Sequence, residues 1–229
     1  MVAAIMIGRK GSKGFPGKNT HVVGGKPMCE WPLLAAQRVV DKIYYSTDDE
    51  DVHEIAKRYG ERIPRPPELA TDEALGEDVY AYCAARIQSP LLVLLMANSP
   101  CVSSAQVAEG VDVVSGGRYK SACTVSKYNM FHPTRARNRG DSLYHYYLDG
   151  ATCDRNSSSD AWFYDCGCAV VRRVSLSEMD NGLPPQRWLH APCYGIENEA
   201  GIDVDYEWQI GQVEWWLKKH GMGDTGVRS

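Results

Sequence analysis

The 229-residue sequence has no apolar run of about 18 or more residues, the length that an α-helix needs to cross a bilayer. Its N-terminus lacks the charged, long apolar and small-residue regions of a secretory signal peptide. It has no excess of Lys and Arg, and its formal net charge of -4 argues against a protein that binds nucleic acid or anionic membranes over a wide basic face. These absences predict a soluble, cytoplasmic protein that binds neither nucleic acid nor a membrane.

The sequence also lacks a Cys-x2-Cys pair, although it contains eight cysteines. Cys166 and Cys168 lie closest together, and no second Cys or His pair has the spacing of a tetrahedral zinc site. We interpret the cysteines as reduced thiols, and Cys166 and Cys168 as small, buried side chains of a strand. Zinc binding or redox chemistry is the alternative.

Apolar runs alternate with segments of helical periodicity along most of the chain. Strands are predicted at residues 2–7, 42–46, 91–96, 121–126 and 162–171, with an edge-like segment at 194–205. Helices are predicted at residues 28–40, 52–59, 77–86, 104–113 and 206–219. Continuous apolar runs are typical of strands that are buried on both faces. The pattern predicts one α/β domain of three layers, with a mainly parallel sheet flanked by helices and with ligands at the carboxyl ends of the strands.

A polar stretch rich in Arg, Asn, Asp and Tyr interrupts this pattern at residues 127–160. Long irregular segments in compact domains are commonly functional, so we interpret this one as an excursion on the acceptor side of the active site or at a subunit contact. Residues 1–229 are expected to form one domain that carries this excursion. The aromatic residues at 144–147 and in the last helix would suit a homodimer interface.

The loop from Gly8 to Asn19 carries the clearest chemistry. It contains four glycines and no acid, together with the cations Arg9, Lys10, Lys13 and Lys18. Glycines let backbone N–H groups approach a phosphate, and the cations would repel one another without an anion. The spacing matches neither the P-loop nor the Gly-x-Gly-x2-Gly fingerprint of dinucleotide-binding folds. The loop therefore predicts a triphosphate site, with a solvated glycine-rich turn as the alternative.

Several motifs resemble those of the acylneuraminate (CMP-sialic acid synthetase-like) cytidylyltransferases. They are Arg9-x2-Ser12-Lys13-Gly14-x-Pro16-x-Lys18-Asn19, Gly25-Lys26-Pro27, Ser46-Thr47-Asp48, the run from Arg65 to Asp72, Ser99-Pro100 and Ile202-Asp203-Val204-Asp205. The motifs keep the family's order and similar intervals over roughly residues 3–216. The resemblance implies the Rossmann-like fold of nucleotide-diphospho-sugar transferases and CTP-dependent transfer of CMP to an acidic acceptor. The sequence is expected to be a divergent member of that family.

The resemblance also implies roles for individual residues. The catalytic residues would be Arg9, Lys18, Asp203 and Asp205, and the nucleotide would be bound by Gly8, Arg9, Ser12, Lys13, Lys18, Asn19, Arg65 and Asp72. Asp203 and Asp205 would hold Mg²⁺, because alternate residues of a strand project to the same side and carboxylates suit a hard cation. A helix N-cap with a neighbouring acid is the alternative for these two aspartates.

The acceptor region departs from the family. Met96 and Val102 stand where the sialate enzymes carry Gln and Arg, and Cys166-Gly167-Cys168 replaces Asn-Gly-Ala. Acceptor-binding residues are expected at Met96, Asn98, Ser99, His132, Arg135, Arg137 and Asp165, with Arg155 as a further anion binder. A sialic-acid-like (nonulosonic) sugar is the leading acceptor and a small phosphonate the second. A nucleotide-binding regulatory module without turnover is the non-enzymatic alternative.

Overall fold

A computed structural model of the chain describes residues 1–132, 137–139, 143–145 and 160–223. Its strands are β1 (Val2–Gly8), β2 (Val22–Val23), β3 (Lys26–Pro27), β4 (Lys42–Thr47), β5 (Glu61–Arg62), β6 (Leu91–Met96), β7 (Ser121–Lys127), β8 (Arg137–Arg139), β9 (Leu143–His145), β10 (Trp162–Arg172) and β11 (Cys193–Asn198). Its helices are α1 (Glu30–Gln37), α2 (Glu50–Ala56), α3 (Gly76–Ala84), α4 (Ser104–Ser115) and α5 (Ile210–Lys219). All five predicted helices are present, with ends that differ from the predictions by a few residues.

The main sheet contains seven strands in the order β11-β7-β10-β6-β1-β4-β5. Strand β1 is parallel to β4 and β6, and β7 is parallel to β11. Strand β10 is antiparallel to both of its neighbours, β6 and β7. The prediction of a single α/β domain with a mainly parallel sheet is confirmed. The direction of β10 could not be predicted, because hydrophobic periodicity does not encode strand direction.

The central strands are apolar throughout because helices or irregular segments cover both faces of the sheet. Met6 of β1 and Leu95 of β6 pack with buried residues of α1, α2 and α4. Ile5 and Leu94, their neighbours in sequence, pack on the opposite face with α3 and with the segment 173–189. Burial of two faces removes a large apolar area from water and produces the three predicted layers.

The register of the sheet places several strand ends side by side. Gly8 at the end of β1 pairs with Thr47 at the end of β4, and Ile7 pairs with Met96 at the end of β6. Strand β11 ends at Asn198, beside the end of the parallel strand β7. The segments that follow these strands therefore leave the sheet at one edge, the carboxyl edge, where ligands bind in α/β folds.

Helix α5 is held near this edge by an apolar cluster and by one buried hydrogen bond. Trp216 and Leu217 are buried with Val23 and Trp31. The indole Nε1 of Trp216 donates to the side-chain Oδ1 of Asn198 at 2.9 Å. This packing fixes α5, and with it the segment that leads into α5, against the end of β11.

The prediction that the edge strand continues to Asp205 is wrong. Strand β11 ends at Asn198, and Ala200 has a φ of 57°, a left-handed conformation that does not occur in a strand. Asp203 and Asp205 therefore lie in an irregular segment between β11 and α5.

A β-bulge interrupts β10 near the carboxyl edge. The register with β7 shifts between Tyr164 and Ala169, and Cys166 has a φ of 62°. Cys168 is fully buried in the strand, as interpreted, whereas Cys166 is half-buried at the bulge. Cys166 lies within β10, as interpreted, but it is only half-buried and left-handed, and a single left-handed residue leaves no trace in the apolar pattern.

In the described ranges, no helix is both long and apolar enough to cross a membrane. Within the predicted excursion, the short strands β8 and β9 pair in antiparallel fashion as a separate two-stranded sheet. Much of the excursion lies outside the described residues, so its limits and its role stay predictions.

Candidate active site

A cavity of about 490 Å³ opens at the carboxyl edge of the sheet. Its walls come from the loop after β1, the segment that precedes α3, the end of β6 and the segment that leads into α5. All the residues that were predicted to bind the nucleotide line it: Gly8, Arg9, Ser12, Lys13, Lys18, Asn19, Arg65 and Asp72. Met96 and Asn98 of the predicted acceptor set and Asp205 of the predicted metal pair also line it.

The loop after β1 reaches the cavity because its backbone passes very close to two neighbouring segments. A Cβ atom at Gly8 would lie 2.7 Å from the Cβ of Ala97, and one at Gly14 would lie 2.6 Å from the carbonyl oxygen of Asp205. A side chain at either position would force the loop away from the cavity wall. The glycines therefore serve close packing as well as access to phosphate.

The shape of the loop is fixed by hydrogen bonds within the protein. Asn19 is buried, and its Nδ2 donates to the carbonyl oxygen of Arg9 at 3.1 Å. The carbonyl oxygen of Asn19 accepts from the backbone N–H of Cys29 at 2.9 Å. The backbone N–H of Lys10 donates to Asp48 Oδ1 at 3.0 Å, in the turn after β4. These bonds fix the conformation of the loop.

The three cations of the loop that line the cavity pair with carboxylates from other segments. Arg9 contacts Asp72, and Lys13 Nζ lies 2.7 Å from the second carboxylate oxygen of the same residue. Hydrogen bonds from Lys13 and Arg9 lower the pKa of Asp72 to about 2. Lys18 Nζ lies 2.7 Å from Asp205 Oδ1, with only 13% of its side chain exposed. The positive charges are thus held in place at the cavity wall.

Arg65 contributes a buried cation to the same cavity. Its side chain is 3% exposed, and its Nη2 donates to the carbonyl oxygen of Ser46 at 2.7 Å. Burial lowers the pKa of Arg65, but arginine remains protonated at neutral pH. Its Nε has no hydrogen-bond partner among the described residues. Because an unpaired buried N–H is costly, this donor is suited to an acceptor atom of a bound ligand.

Asp203 and Asp205 remain close to each other although the strand that was predicted to align them is absent. Burial, and next the charge of Asp205, raise the pKa of Asp203. Asp205 lines the cavity, whereas Asp203 is half-buried and is not among the lining residues. The N-cap alternative is wrong, because Tyr206 caps the 3-10 helix that precedes α5 and Gln209 caps α5 itself.

The segment with the two aspartates is fastened on both sides. The backbone N–H of Val204 donates to the carbonyl oxygen of Asn98 at 2.8 Å, and Asn98 Nδ2 donates back to the carbonyl oxygen of Val204 at 3.1 Å. Gln209 Oε1 accepts from the backbone N–H groups of Asp205, at 2.7 Å, and Tyr206, at 2.8 Å. Val204 itself is fully buried. Asn98 thus both lines the cavity and positions the aspartates.

Ser99 and Asp165, both predicted to bind the acceptor, are buried and are not among the residues that line the cavity. The Asp165 carboxylate accepts hydrogen bonds from Ser126 Oγ at 2.6 Å and from the backbone N–H of Gly167 at 3.1 Å. Burial raises the pKa of Asp165, and these hydrogen bonds oppose that shift. The geometry gives Asp165 a bracing position beneath the cavity.

The remaining predicted acceptor residues belong to the excursion. His132 is half-buried just after a 3-10 helix and does not line the cavity. Arg137 lies in β8, where the backbone is described, and Arg135 and Arg155 lie outside the described residues. The role of these side chains stays a prediction.

Tyr206 is a cavity residue that the motifs did not identify. Its half-exposed ring stacks on that of Trp208, with 6.4 Å between the ring centroids. Leu69 and Val79 add apolar surface to the cavity. Tyr206 directly follows the predicted metal pair in sequence, so its place in the cavity could have been predicted from that adjacency. Leu69 lies within the motif from Arg65 to Asp72, whereas Val79 carried no signal, because apolar residues at such positions are common in any core.

The donor set at the cavity suits a hard cation. Asp205 in the lining and the half-buried Asp203 outside it carry carboxylate oxygens, the ligands that Mg²⁺ prefers, and this ion usually keeps several waters and phosphate oxygens as its other ligands. Within the described ranges, a cluster of three possible metal-ligating side chains is formed by Glu50, His53 and Glu54 on α2, and it does not line the cavity. The cavity residues therefore fit Mg²⁺ better than a transition metal.

A family model described as "Cytidylyltransferase" matches residues 3–132. The N-acylneuraminate cytidylyltransferase of Oncorhynchus mykiss is 25% identical over 218 residues, which cover 92% of this chain and 49% of that protein. The protein of the same name from Streptococcus agalactiae serotype V is 31% identical over 88% of this chain and 49% of its own length. A 3-deoxy-manno-octulosonate cytidylyltransferase of Geobacter metallireducens is 29% identical over 62% of this chain and 59% of that protein. The chain spans about half the length of the acylneuraminate relatives that it matches.

Solved structures share the fold at lower identity. The synthetase of CMP:2-keto-3-deoxy-manno-octonic acid, complexed with CTP, superposes with a TM-score of 0.69 at 18% identity, covering 96% of this chain and 100% of that one. The 4-diphosphocytidyl-2C-methyl-D-erythritol synthase of Anaerococcus prevotii superposes with a TM-score of 0.64 at 15% identity, covering 94% and 96%. At these sequence identities, the structural similarity shows a shared fold and nothing further.

Proposed function

Because the chain belongs to the cytidylyltransferase family, we propose that it transfers CMP from CTP to an acidic acceptor and releases pyrophosphate. The observation that carries this proposal is the convergence of all the predicted nucleotide residues on one cavity at the carboxyl edge of the sheet. Within that cavity, Arg9, Lys13 and Lys18 supply positive charge, and the loop glycines admit a polyphosphate. A regulatory module that binds nucleotide without turnover would not need the carboxylates that complete the cavity.

The reaction would proceed by in-line attack of an acceptor oxygen on the α-phosphorus of CTP. The bond from that phosphorus to the bridging oxygen breaks, and pyrophosphate leaves with the electron pair. Arg9 and Lys18 would neutralise charge on the phosphate oxygens, so positioning and electrostatics supply most of the acceleration. Mg²⁺ held by Asp203 and Asp205 would add Lewis-acid stabilisation when bound. Arg65 would offer its unpaired Nε to an acceptor atom of the nucleotide.

The leading acceptor is an acidic sugar of the sialic-acid-like (nonulosonic) type, which the names of the relatives favour. A small phosphonate is the second candidate, because the family's two polar acceptor residues are replaced here by apolar ones. Met96 lines the cavity with a thioether, and Val102 is fully buried in the core, where it offers nothing to an anion. A homodimer, suggested by exposed aromatic residues such as Trp208 and Trp215, also stays a proposal.

The test is to incubate the protein with CTP, Mg²⁺ and a panel of acceptors: several nonulosonic sugars, a 3-deoxy-octulosonic acid and small phosphonates. Pyrophosphate release is measured, and release above background with one acidic acceptor is expected, with CTP preferred over the other nucleoside triphosphates. If no acceptor in the panel causes pyrophosphate release, the proposal is contradicted.

A matched pair of lysine variants links any activity to the cavity. Lys18→Met removes a cation that lines the cavity and is expected to lower kcat/KM by about 10²-fold, comparable to loss of one oxyanion donor. Lys10→Met removes an exposed cation of the same loop that does not line the cavity, and its activity should stay close to that of the wild type. Equal losses in both variants would show that the loop acts through its general charge instead.

A further inference from the structure

Asp72 is an acid in a cavity that is otherwise arranged to receive an anion. Its carboxylate contacts Arg9 through one oxygen and Lys13 Nζ, at 2.7 Å, through the other. It lies in an irregular segment that leads into α3, and its side chain is 44% exposed. An exposed carboxylate that bridges two cations of the predicted phosphate site neutralises charge that a phosphate group would otherwise neutralise.

Because Asp72 is ionised throughout the neutral pH range, its contacts with Arg9 and Lys13 do not depend on pH there. Hydrogen bonds from Lys13 and then Arg9 lower the pKa of Asp72 to about 2, so protonation does not release the cations at any physiological pH. As an ionised acceptor, the carboxylate has no proton to donate to a phosphate oxygen. A polyphosphate that binds Arg9 and Lys13 therefore meets an ionised carboxylate already paired with both cations.

We propose that Asp72 is an internal anion that competes with the triphosphate and with the departing pyrophosphate for Arg9 and Lys13. The inference rests on the proposed function and gives one of its residues a different task from direct nucleotide binding. On entry, the triphosphate displaces the carboxylate. After CMP transfer, the carboxylate returns to the two cations and favours the release of pyrophosphate, which would otherwise stay bound to an unpaired pair of positive charges.

The contacts of Lys18 show why the effect is assigned to Asp72. Lys18 pairs with Asp205, which is expected to bind Mg²⁺ when the nucleotide is present, so that contact would be replaced as part of catalysis. Asp72 has no such second task, since its two partners are the loop cations. It also braces no regular element: its contacts join the loop to an irregular segment.

Binding of inorganic pyrophosphate and of tripolyphosphate, measured by calorimetry at fixed ionic strength, tests the proposal without requiring turnover. Asp72→Asn keeps the shape of the side chain and removes its charge, and it is expected to bind both anions about twofold to thirtyfold more tightly, the equivalent of losing two exposed ion pairs as competitors. Asp72→Glu keeps the charge and should bind like the wild type. Equal or weaker binding by Asp72→Asn would overturn the proposal.

Glu54→Gln is the matched control. Glu54 is an exposed acid that pairs with Lys57 on α2, away from the cavity, so its removal changes the net charge by the same amount. Its affinity for both anions should be unchanged. A gain equal to that of Asp72→Asn would show that overall charge accounts for the effect and would overturn the competition.

Steady-state kinetics separate this inference from the proposed function. In Asp72→Asn, the KM for CTP and the inhibition constant for pyrophosphate should fall together, in the ratio that calorimetry gives, whereas kcat should not rise. If the wild type shows no turnover with any acceptor but the calorimetric ratio holds, the proposed function fails and the competition stands. If turnover is present but neither constant changes, the competition fails alone.

Discussion

The two sides of the cavity are held together in different ways. The nucleotide side, residues 8–19 and 65–76, offers cations whose partners are half-exposed carboxylates such as Asp72. The proposed acceptor side, Met96, Asn98 and Tyr206 in the lining and residues 126–132, 160–168 and 199–204 outside it, is braced by a buried polar network. There Ser126 Oγ donates to Asp165 at 2.6 Å and accepts from the backbone N–H of Gly201 at 2.9 Å. The ion pairs of the nucleotide side can be replaced by contacts with a ligand, whereas the buried hydrogen bonds of the acceptor side make that side rigid.

This difference has a physical reason. A polyphosphate carries several charges and makes strong charge-assisted hydrogen bonds with correctly placed Arg and Lys side chains, so the nucleotide side depends chiefly on its cations. An acceptor oxygen must instead be held in line with one phosphorus atom, and misplacement by about 1 Å costs up to about 10²-fold in rate. Buried, fully hydrogen-bonded groups such as Asp165 supply that rigidity, because each donor or acceptor would be costly to leave unpaired.

The largest effect is expected where the two sides meet, at Asp205, whose carboxylate pairs with Lys18 and is expected to hold Mg²⁺. Asp205→Ala should lower Mg²⁺-dependent turnover by about 10³-fold or more, because both the ion pair and a metal ligand are lost. Pyrophosphate release is measured against Mg²⁺ concentration. Glu207→Ala, an exposed acid two residues on, is the control and should keep wild-type activity. Wild-type activity in Asp205→Ala would refute the metal assignment.

A smaller effect on activity is expected from a substitution that pushes the loop after β1 away from the aspartate segment. A Cβ at Gly14 would lie 2.6 Å from the carbonyl oxygen of Asp205, so Gly14→Ala must move the loop or the aspartate segment. The KM for CTP is expected to rise about tenfold, since the cations shift relative to the metal pair.

Gly211→Ala is the control for that substitution, because a Cβ there would meet nothing within 4 Å. It lies in α5 and should leave the KM unchanged while stabilising the helix by up to about 1 kcal/mol. If Gly14→Ala bound CTP as well as Gly211→Ala does, close packing of the loop would not matter for the site.

Most of the nucleotide side was predictable because its information is local. The charge and glycine content of residues 8–19 indicate an anion site without reference to the rest of the chain. The resemblance added Arg65 and Asp72, and the structure places both in the same cavity. Even so, sequence reasoning classed Asp72 with the nucleotide ligands, because its pairing with the loop cations is a tertiary contact.

The acceptor side was less predictable because its geometry depends on long-range contacts. Asp165 was expected to bind the acceptor, but its hydrogen bonds to β7 and to the bulge in β10 place it beneath the cavity. The left-handed Ala200 ends the alignment with β11 and places the metal pair in an irregular segment. Neither the direction of a strand nor a single left-handed residue alters the apolar periodicity from which the elements were predicted.

The smallest effect tests the rigidity of the acceptor side itself. The Tyr128 hydroxyl donates to the carbonyl oxygen of Gly201 at 2.8 Å and accepts from Gln212 Nε2 at 2.6 Å, which ties the end of β7 to the aspartate segment and to α5. Tyr128→Phe should lower the free energy of unfolding in urea by about 1 to 2 kcal/mol, because the carbonyl of Gly201 loses this donor and Gln212 Nε2 keeps only its bond to the carbonyl oxygen of Ala200.

Kinetics of the same variant show which side of the cavity responds. The KM for the acceptor should rise a few-fold while the KM for CTP stays constant, since Tyr128 bonds to Gly201 and Gln212, neither of which belongs to the predicted nucleotide set. Tyr82→Phe is the control: Tyr82 is half-buried on α3, and its hydroxyl makes no hydrogen bond within the described residues. A rise in the KM for CTP in Tyr128→Phe would mean that the two sides are mechanically coupled, and the contrast between an exchangeable side and a rigid one would fail.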